Sequence, residues 1–367
     1  MVETNEALPQ PGIHGEAPGT SCVRTAGRNL PERLSMIIVK SESGFWLGVA
    51  ILPILLWVAA LPAVSSAQDS YPSRLIKIVV PFPAGTTADE IPRLVAEKLS
   101  ARWGQSVIIE NRPGATGNIG ANIVAKADPD GYTLLSSAPP PLVVNQSLYP
   151  NLGFDPAAFV PISLMAVVPN VLVGRKDLPA NNLLELIALS KNKPGQFTSG
   201  STGPGGTPRL STEMLQIVSG VTLRDIPYRG GTAPVLVDVI GGRIDTMFIN
   251  ISDALPHIKS GGLKAFGVAT EKRVPQLPDV PAIAESFPGF YAATWYAMMA
   301  PPKTPPQIIA KLSAAVVDIL KTTDVGTKLQ TQSMIVVAAS PAETAKFLKQ
   351  EIERWRGVIK AAGLKGE

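Results

Sequence analysis

Three short segments carry glycine and side-chain hydroxyls at a spacing suited to holding a small anion: Pro83-Ala-Gly-Thr-Thr87, Ser199-Gly-Ser-Thr-Gly-Pro-Gly-Gly-Thr207 and Tyr228-Arg-Gly-Gly-Thr232. Glycine lets backbone N–H groups come close to a ligand. Hydroxyls donate to carboxylate oxygens without a fixed charge that would slow release. Taken singly, each segment reads as an ordinary turn and helix cap; together they would form an anion cleft. Asp89 could accept from a ligand amine or hydroxyl, or could simply favour a helix N-terminus and pair with Arg93 one turn on. Arg229 could pair with a carboxylate, although capture by backbone amides is the stronger expectation. Phe82, Tyr228 and Trp295 could wall a small organic ligand, with Trp295 expected to pack at a hinge instead.

Other chemistry is excluded by what is scarce. The chain has one cysteine, Cys22, and two histidines, His14 and His257. A Ser-His-Asp or Cys-His centre needs an imidazole that cycles its proton near neutral pH, and outside the first residues only His257 is available. It sits in Asp253-Ala-Leu-Pro-His-Ile-Lys259, which reads as a short amphipathic helix with the imidazole on its surface. Zinc sites need several Cys or His ligands, which the chain lacks; an all-oxygen Ca²⁺ site stays open on composition, and no metal ligands are singled out. Gly200-Ser-Thr-Gly-Pro-Gly-Gly206 lacks the Lys-Ser/Thr ending of a phosphate-binding loop and the spacing of a dinucleotide fingerprint; no cofactor is expected. An exported hydrolase is the competing class, but it would need a nucleophile and base that the chain scarcely offers.

A formal charge of +4 is dispersed along the sequence rather than clustered with aromatics, which argues against nucleic-acid binding. Residues 45 to 63 carry no charge, follow Lys40 and lead to Ser65-Ser66-Ala67. That is the grammar of a secretory leader cleaved before Gln68, and it directs the remainder to the periplasm. A retained anchor is the alternative, since the stretch just reaches membrane-spanning length. The preceding residues are polar and rich in Pro and Gly, so Met36 is the expected true start.

Helices and strands must then position the three loops. Ile76 to Val80 reads as a buried strand, followed by a helix from Asp89 that stops at Gly104, with Ile91, Leu94, Val95 and Leu99 on one face. Val107 to Ile109 is a second strand. Asn118 to Ala127 is a helix with Ile119, Ile123 and Val124 on its buried side, and Tyr132 to Ser136 is a third strand. The rhythm returns with strand Phe197 to Gly200, helix Thr207 to Ser219, strand Val221 to Ile226, helix Ala233 to Ile240, and strands Asp245 to Asn250 and Lys264 to Thr270. Such alternation implies parallel sheets in two α/β lobes. Pro306 to Leu320 and Pro341 to Ala362 read as closing helices, each with Pro where a missing N–H costs little. Short crossovers near residues 172 and 295 divide the chain into residues 1–67 (extension and leader), 68–171 with 296–367 (lobe 1) and 172–295 (lobe 2).

From about residue 71 to 364 the chain resembles the substrate-binding proteins of tripartite tricarboxylate transporters, the Bug family. The matching stretches are Val79-Val-Pro-Phe-Pro-Ala-Gly-Thr-Thr-Ala-Asp89, Glu110-Asn-Arg-Pro-Gly-Ala-Thr-Gly-Asn-Ile-Gly120, Asp128-Pro-Asp-Gly-Tyr-Thr-Leu134, Ile226-Pro-Tyr-Arg-Gly-Gly231 and Ala254-Leu-Pro-His-Ile258. Leu277-Pro-Asp-Val-Pro281, Pro288-Gly-Phe290 and Ala300-Pro-Pro302 agree in the same order. The resemblance implies an α/β periplasmic-binding-protein fold of type II, with two lobes closing on a small organic carboxylate (a di- or tricarboxylate, an aromatic acid or an amino acid) and no catalysis. Membrane permease subunits are the implied partner of a monomeric receptor; a ligand-sensing adaptor without a permease is the alternative. The candidate ligand-binding residues are Phe82, Ala84, Gly85, Thr86, Thr87, Asp89, Ser137, Ser201, Thr202, Thr207, Tyr228, Gly230, Gly231, Thr232 and Asn250. The chain departs from the family at Thr86, where Gly is common, at Arg209, where His is common, and at Ile249, where Asp is common. Arg209 could favour a more anionic ligand, or simply face the surface of its helix.

Overall fold

The computed structural model describes residues 71–366; the expected leader, its cleavage site and the start at Met36 lie outside them. The described chain runs β1 (Ile76–Val80), α1 (Thr87–Trp103), β2 (Val107–Asn111), α2 (Asn118–Ala125), β3 (Thr133–Ser137), β4 (Val160–Arg175), α3 (Leu183–Asn192), β5 (Thr198–Ser201), α4 (Thr207–Ser219) and β6 (Arg224–Pro227). It continues through α5 (Thr232–Ile240), β7 (Thr246–Asn250), α6 (Ile251–Lys259), β8 (Leu263–Val268), β9 (Ala293–Ala300), α7 (Pro306–Leu320), α8 (Thr323–Thr331), β10 (Ile335–Val336) and α9 (Pro341–Ala362). None of these helices is long and apolar enough to cross a membrane.

Strand order is β2-β1-β3-β9-β4-β7-β5-β6, with β8 and β10 also pairing with β4. The expected parallel pairing holds for β1 with β2 and β3, and for β5 with β6 and β7. The centre differs: β4 is antiparallel to β9, β7 and β8, and β3 is antiparallel to β9. The cause is β4 itself, a 16-residue strand. Its Val160–Pro169 segment pairs with β9, and from Asn170 to Arg175 it pairs with β7 and β8. One strand thus passes from a first sheet into a second, and neighbours contributed by the returning chain must run against it.

Period-2 alternation gives each sheet two buried faces. In the first sheet Ile76, Ile78 and Val80 pack under α1 and α7, while Val79 packs with α2 and α9. In the second, Leu172 packs with α3 and α4, while Val171 and Val173 pack with α5 and α6. Glu351 of α9, 6% exposed, accepts from the indole N–H of both Trp295 (2.7 Å) and Trp355 (2.9 Å), tying α9 to β9.

α2 is rotated from its sequence expectation, keeping Val124 buried but turning its two isoleucines outward. Ile119 and Ile123 are 50% and 42% exposed, and the buried face is Gly120, Ala121 and Val124. A Cβ on Gly120 would lie 2.8 Å from Pro81 and 2.9 Å from the Arg112 carbonyl. Close approach of this helix to the first β–α loop selects its smallest residues, against the larger gain from burying isoleucine.

Candidate functional site

Between the two sheets lies a cavity of about 830 Å³. Its wall is built mainly from chain reversals, and its most consistent feature is helix ends. The residues capping the N-termini of α1, α2, α4, α5 and α6 are Thr86, Gly117, Gly206, Gly231 and Asn250, and all five line the cavity. None of them makes a side-chain cap hydrogen bond. Of the helices starting away from the cavity, those after Asn182 and Ser340 are capped by those side chains, and those after Pro305 and Thr322 are not, so what marks the cavity is the convergence of helix ends rather than the missing caps alone. An uncapped N-terminus leaves N–H groups free and carries roughly half a positive charge, so five directed at one space favour an anion.

Hydroxyls add to this. Thr116, Thr202, Thr207 and Thr232 line the cavity, and their hydroxyls have no hydrogen-bond partner among the described residues. Thr116 and Ala115 adopt left-handed backbone, at φ 50° and 46°, in the loop leading to α2. Strain of this kind in non-glycine residues costs of order 1–3 kcal/mol and is held in place by surrounding structure.

Of the residues singled out from sequence, Phe82, Thr86, Thr87, Thr202, Thr207, Tyr228, Gly231, Thr232 and Asn250 come together around the cavity. Ala84, Gly85, Asp89, Ser137, Ser201 and Gly230 lie behind or beside the wall. The Gly85 N–H donates to Asp89 Oδ2 at 3.0 Å. Asp89 also receives Arg93 Nε at 2.7 Å and Asn111 Nδ2 at 2.9 Å, so it organises the loop from beneath. Burial opposes ionisation of Asp89, but those hydrogen bonds outweigh it and hold the carboxyl below its ordinary range. Ser137 is fully buried and donates to the Ala138 carbonyl, while Ser201 Oγ accepts from the Gly203 N–H at 3.3 Å. Tyr228 presents its ring to the cavity and ties its hydroxyl back to Asp238 on α5.

Arg209 neither faces solvent nor reaches the cavity. Its side chain is 18% exposed and bridges Glu213 (2.5 Å) and Asp225 (3.1 Å), binding α4 to β6. Trp295 is a core residue, edge-on to Phe347, and it is the next residue, Tyr296, that lines the cavity.

Two charged residues line the cavity among the described residues, Arg229 and Asp253. Arg229 is exposed and forms no ion pair within the described chain. Asp253, missed in the sequence, stands in the first turn of α6. The Thr87 hydroxyl donates to its Oδ1 at 2.8 Å and also meets Ser252 Oγ at 2.9 Å, two bonds that span the cleft from α1 to α6. Asn250 Nδ2 donates to the Tyr296 hydroxyl at 2.9 Å beside them. Burial, opposed by the Thr87 hydrogen bond and aided by the negative charge of Glu90, pushes the Asp253 carboxyl up to about 6. An acidic residue in a helix's first turn is commonplace, and only the position of Thr87 across the cleft distinguishes Asp253. The Asn111–Gly117 loop carried a readable signal, having the same Gly/Thr character as the three loops singled out. No cluster of three or more His, Cys, Asp or Glu side chains is placed to hold a metal among the described residues.

Two α/β sheets exchanging partners along one long strand, with an anion-favouring cavity between them, define an α/β periplasmic-binding-protein fold of type II. The chain belongs to the tripartite tricarboxylate transporter family receptors, whose model matches residues 91–364. These are solute-binding receptors, not enzymes. It is 38% identical over 320 residues to the protein BugT of Bordetella pertussis, an alignment covering 86% of this chain and 98% of BugT. The structure of the R. palustris protein Rpa4515 with adipate superposes with a TM-score of 0.77 at 36% identity, covering 80% of this chain and 99% of that one. The periplasmic binding protein BugD superposes with a TM-score of 0.76 at 35% identity, covering 81% and 100%.

Proposed function

We propose that this protein captures a small organic carboxylate between its lobes in the periplasm and delivers it to the membrane subunits of a tripartite tricarboxylate-type transporter. The observation that carries the reading is the convergence of five uncapped helix N-termini on one cavity. A carboxylate there receives several N–H donors at once, and the Thr hydroxyls complete its shell without a permanent counter-charge. The adipate in the related Rpa4515 structure supports the ligand class.

Lobe 1 comprises residues 68–171 and 296–367, and lobe 2 residues 172–295, a division supported by the change of strand partners along β4 near Pro169 and Asn170. Closure brings α1 against α6, and the Thr87 bonds to Ser252 and Asp253 belong to the closed arrangement. The candidate ligand-binding residues are those committed to the cavity wall, with Ala84, Gly85, Asp89, Ser137, Ser201 and Gly230 supporting its loops. Residues 36–67 act as the leader, cleaved before Gln68, and the receptor works as a monomer.

The test is a thermal-shift screen of the purified protein against a library of mono-, di- and tricarboxylates. A ligand at 100 times its Kd stabilises by about 2.7 kcal/mol. Saturable stabilisation by a carboxylate, weakened by Thr232→Val and Thr207→Val, supports the reading; stabilisation by no carboxylate in the library refutes it. Loss of uptake of that acid on deleting the gene for the receptor would tie it to a permease, and intact uptake would leave a sensing adaptor.

A further inference from the structure

Asp253 is a carboxylate placed where the rest of the wall favours anions. One of its oxygens, Oδ1, is occupied by the Thr87 hydroxyl. Oδ2 has no hydrogen-bond partner among the described residues, and the side chain lines the cavity. An acidic residue in a helix's first turn ordinarily folds back to cap it. Here α6 has no side-chain cap bond at Asn250, and Asp253 instead reaches across the cleft. Helix capping therefore does not account for it.

Its neighbours fix what it could meet. Thr87 is the first residue of α1, so one residue offers a free terminal N–H for a ligand carboxylate and a hydroxyl that holds Asp253. A carboxylate bound at that N-terminus carries its adjacent carbon, and any group on that carbon, alongside Asp253. An unmodified carboxylate there would face a second negative charge with nothing between them. A hydroxyl or ammonium group on the adjacent carbon converts that repulsion into a charge-assisted hydrogen bond. Arg229, on the opposite loop, can take a second carboxylate of the same molecule.

Resting on the carboxylate-receptor reading above, we infer that Asp253 is a specificity-determining residue whose free oxygen accepts a hydrogen bond from a 2-hydroxy or 2-ammonium group, so the cargo is a 2-hydroxy or 2-amino acid. The selection is by difference. A polar group built to receive a donor, and left unpaired by the analogue lacking it, discriminates more strongly than added apolar contact. With its ordinary carboxyl ionisation shifted upward only to about 6, Asp253 remains an acceptor at neutral pH. The charged and titratable groups around it are Glu90 on α1, Tyr296 on β9 and Arg229 in the cavity.

The experiment is isothermal titration of the purified protein at pH 7.5 with matched sets that differ only on the carbon next to the carboxylate. The sets are succinate, malate and aspartate; adipate and 2-aminoadipate; phenylacetate, mandelate and phenylglycine. Within the set that binds, a 2-substituted acid is expected to bind at least tenfold more tightly than its plain partner. Asp253→Ala should reduce that preference to threefold or less, while Asp253→Asn, which keeps an oxygen acceptor without the charge, should lose the ammonium preference and keep part of the hydroxyl preference. The malate and aspartate arms separate a hydroxyl from an ammonium cargo. A plain acid binding as tightly as its substituted partner, or a preference that survives Asp253→Ala, overturns the inference and leaves the carboxylate reading standing. Plain acids binding best and weakening from pH 5 to pH 8 would make Asp253 a proton donor to the ligand and overturn it equally. No binding by any acid in the three sets overturns the inference, and the carboxylate reading falls with it when the wider library also gives no stabilisation.

Discussion

Replacing Asp253 by Asn should stabilise the ligand-free protein at neutral pH and leave it unchanged in acid. The carboxyl is pushed up to about 6 by burial, from an ordinary value of 3.8. Its unfolded-state proton therefore leaves near pH 4, whereas the native state keeps that proton until about pH 6. Below about pH 3 both states are protonated and the group contributes nothing to pH dependence. Between about pH 3 and pH 6 the unfolded state gains ionisation that the native state resists, so stability falls as pH rises, and above about pH 7 the full penalty applies. Two pKa units correspond to about 3 kcal/mol. Asparagine keeps an oxygen to accept from Thr87, so the 2.8 Å bond has a substitute and the charge alone is removed. Urea unfolding of both proteins from pH 3 to pH 8 should give coincident stabilities near pH 3, diverging to about 3 kcal/mol in favour of the variant at pH 8. The matching rise in Tm is on the order of 5 °C or more. A stability difference that does not change with pH, or a variant less stable at pH 8, would refute the burial argument for Asp253.

Gly231 has φ 82°, and a Cβ there would lie 3.2 Å from Pro83 on the facing loop, so Gly231→Ala should weaken ligand binding at least tenfold and leave a more open protein, as read by calorimetry and small-angle scattering. Glu351→Ala strips two buried indole N–H groups of their acceptor and should cost about 3–5 kcal/mol in urea unfolding without changing ligand affinity. Arg209→Ala leaves the Glu213 and Asp225 carboxylates without their bridging cation and should destabilise the protein by about 2–4 kcal/mol, while ligand affinity stays within twofold of the parent. A selective loss of affinity for more highly charged acids would instead return Arg209 to the ligand.

Local physics made much of this protein legible in its residues. Ile76–Val80 and Thr207–Ser219 form where apolar runs, hydrophobic periodicity and the Thr-Pro helix start predict them. Gly104 ends α1 in the left-handed conformation expected of a helix-terminating glycine. The Gly/Thr character of the first loops, a property of composition and spacing, also led to most of the cavity wall. What escaped depended on partners distant in sequence. The inward turn of α2 follows from the approach of Pro81 to Gly120, which no periodicity within the helix encodes. The antiparallel centre follows from β4 serving two sheets, and Arg209 on α4 is taken by Asp225, 16 positions away on β6. Asp253 carries the same point furthest. As a residue type in a helix's first turn it is commonplace. Its role arises from Thr87, 166 positions earlier, meeting it across the cleft. Backbone preference and apolar period act over a few residues and can be read along the chain. The burial of a charge, and which hydroxyl or helix end it faces, is set by tertiary packing between residues far apart in the chain.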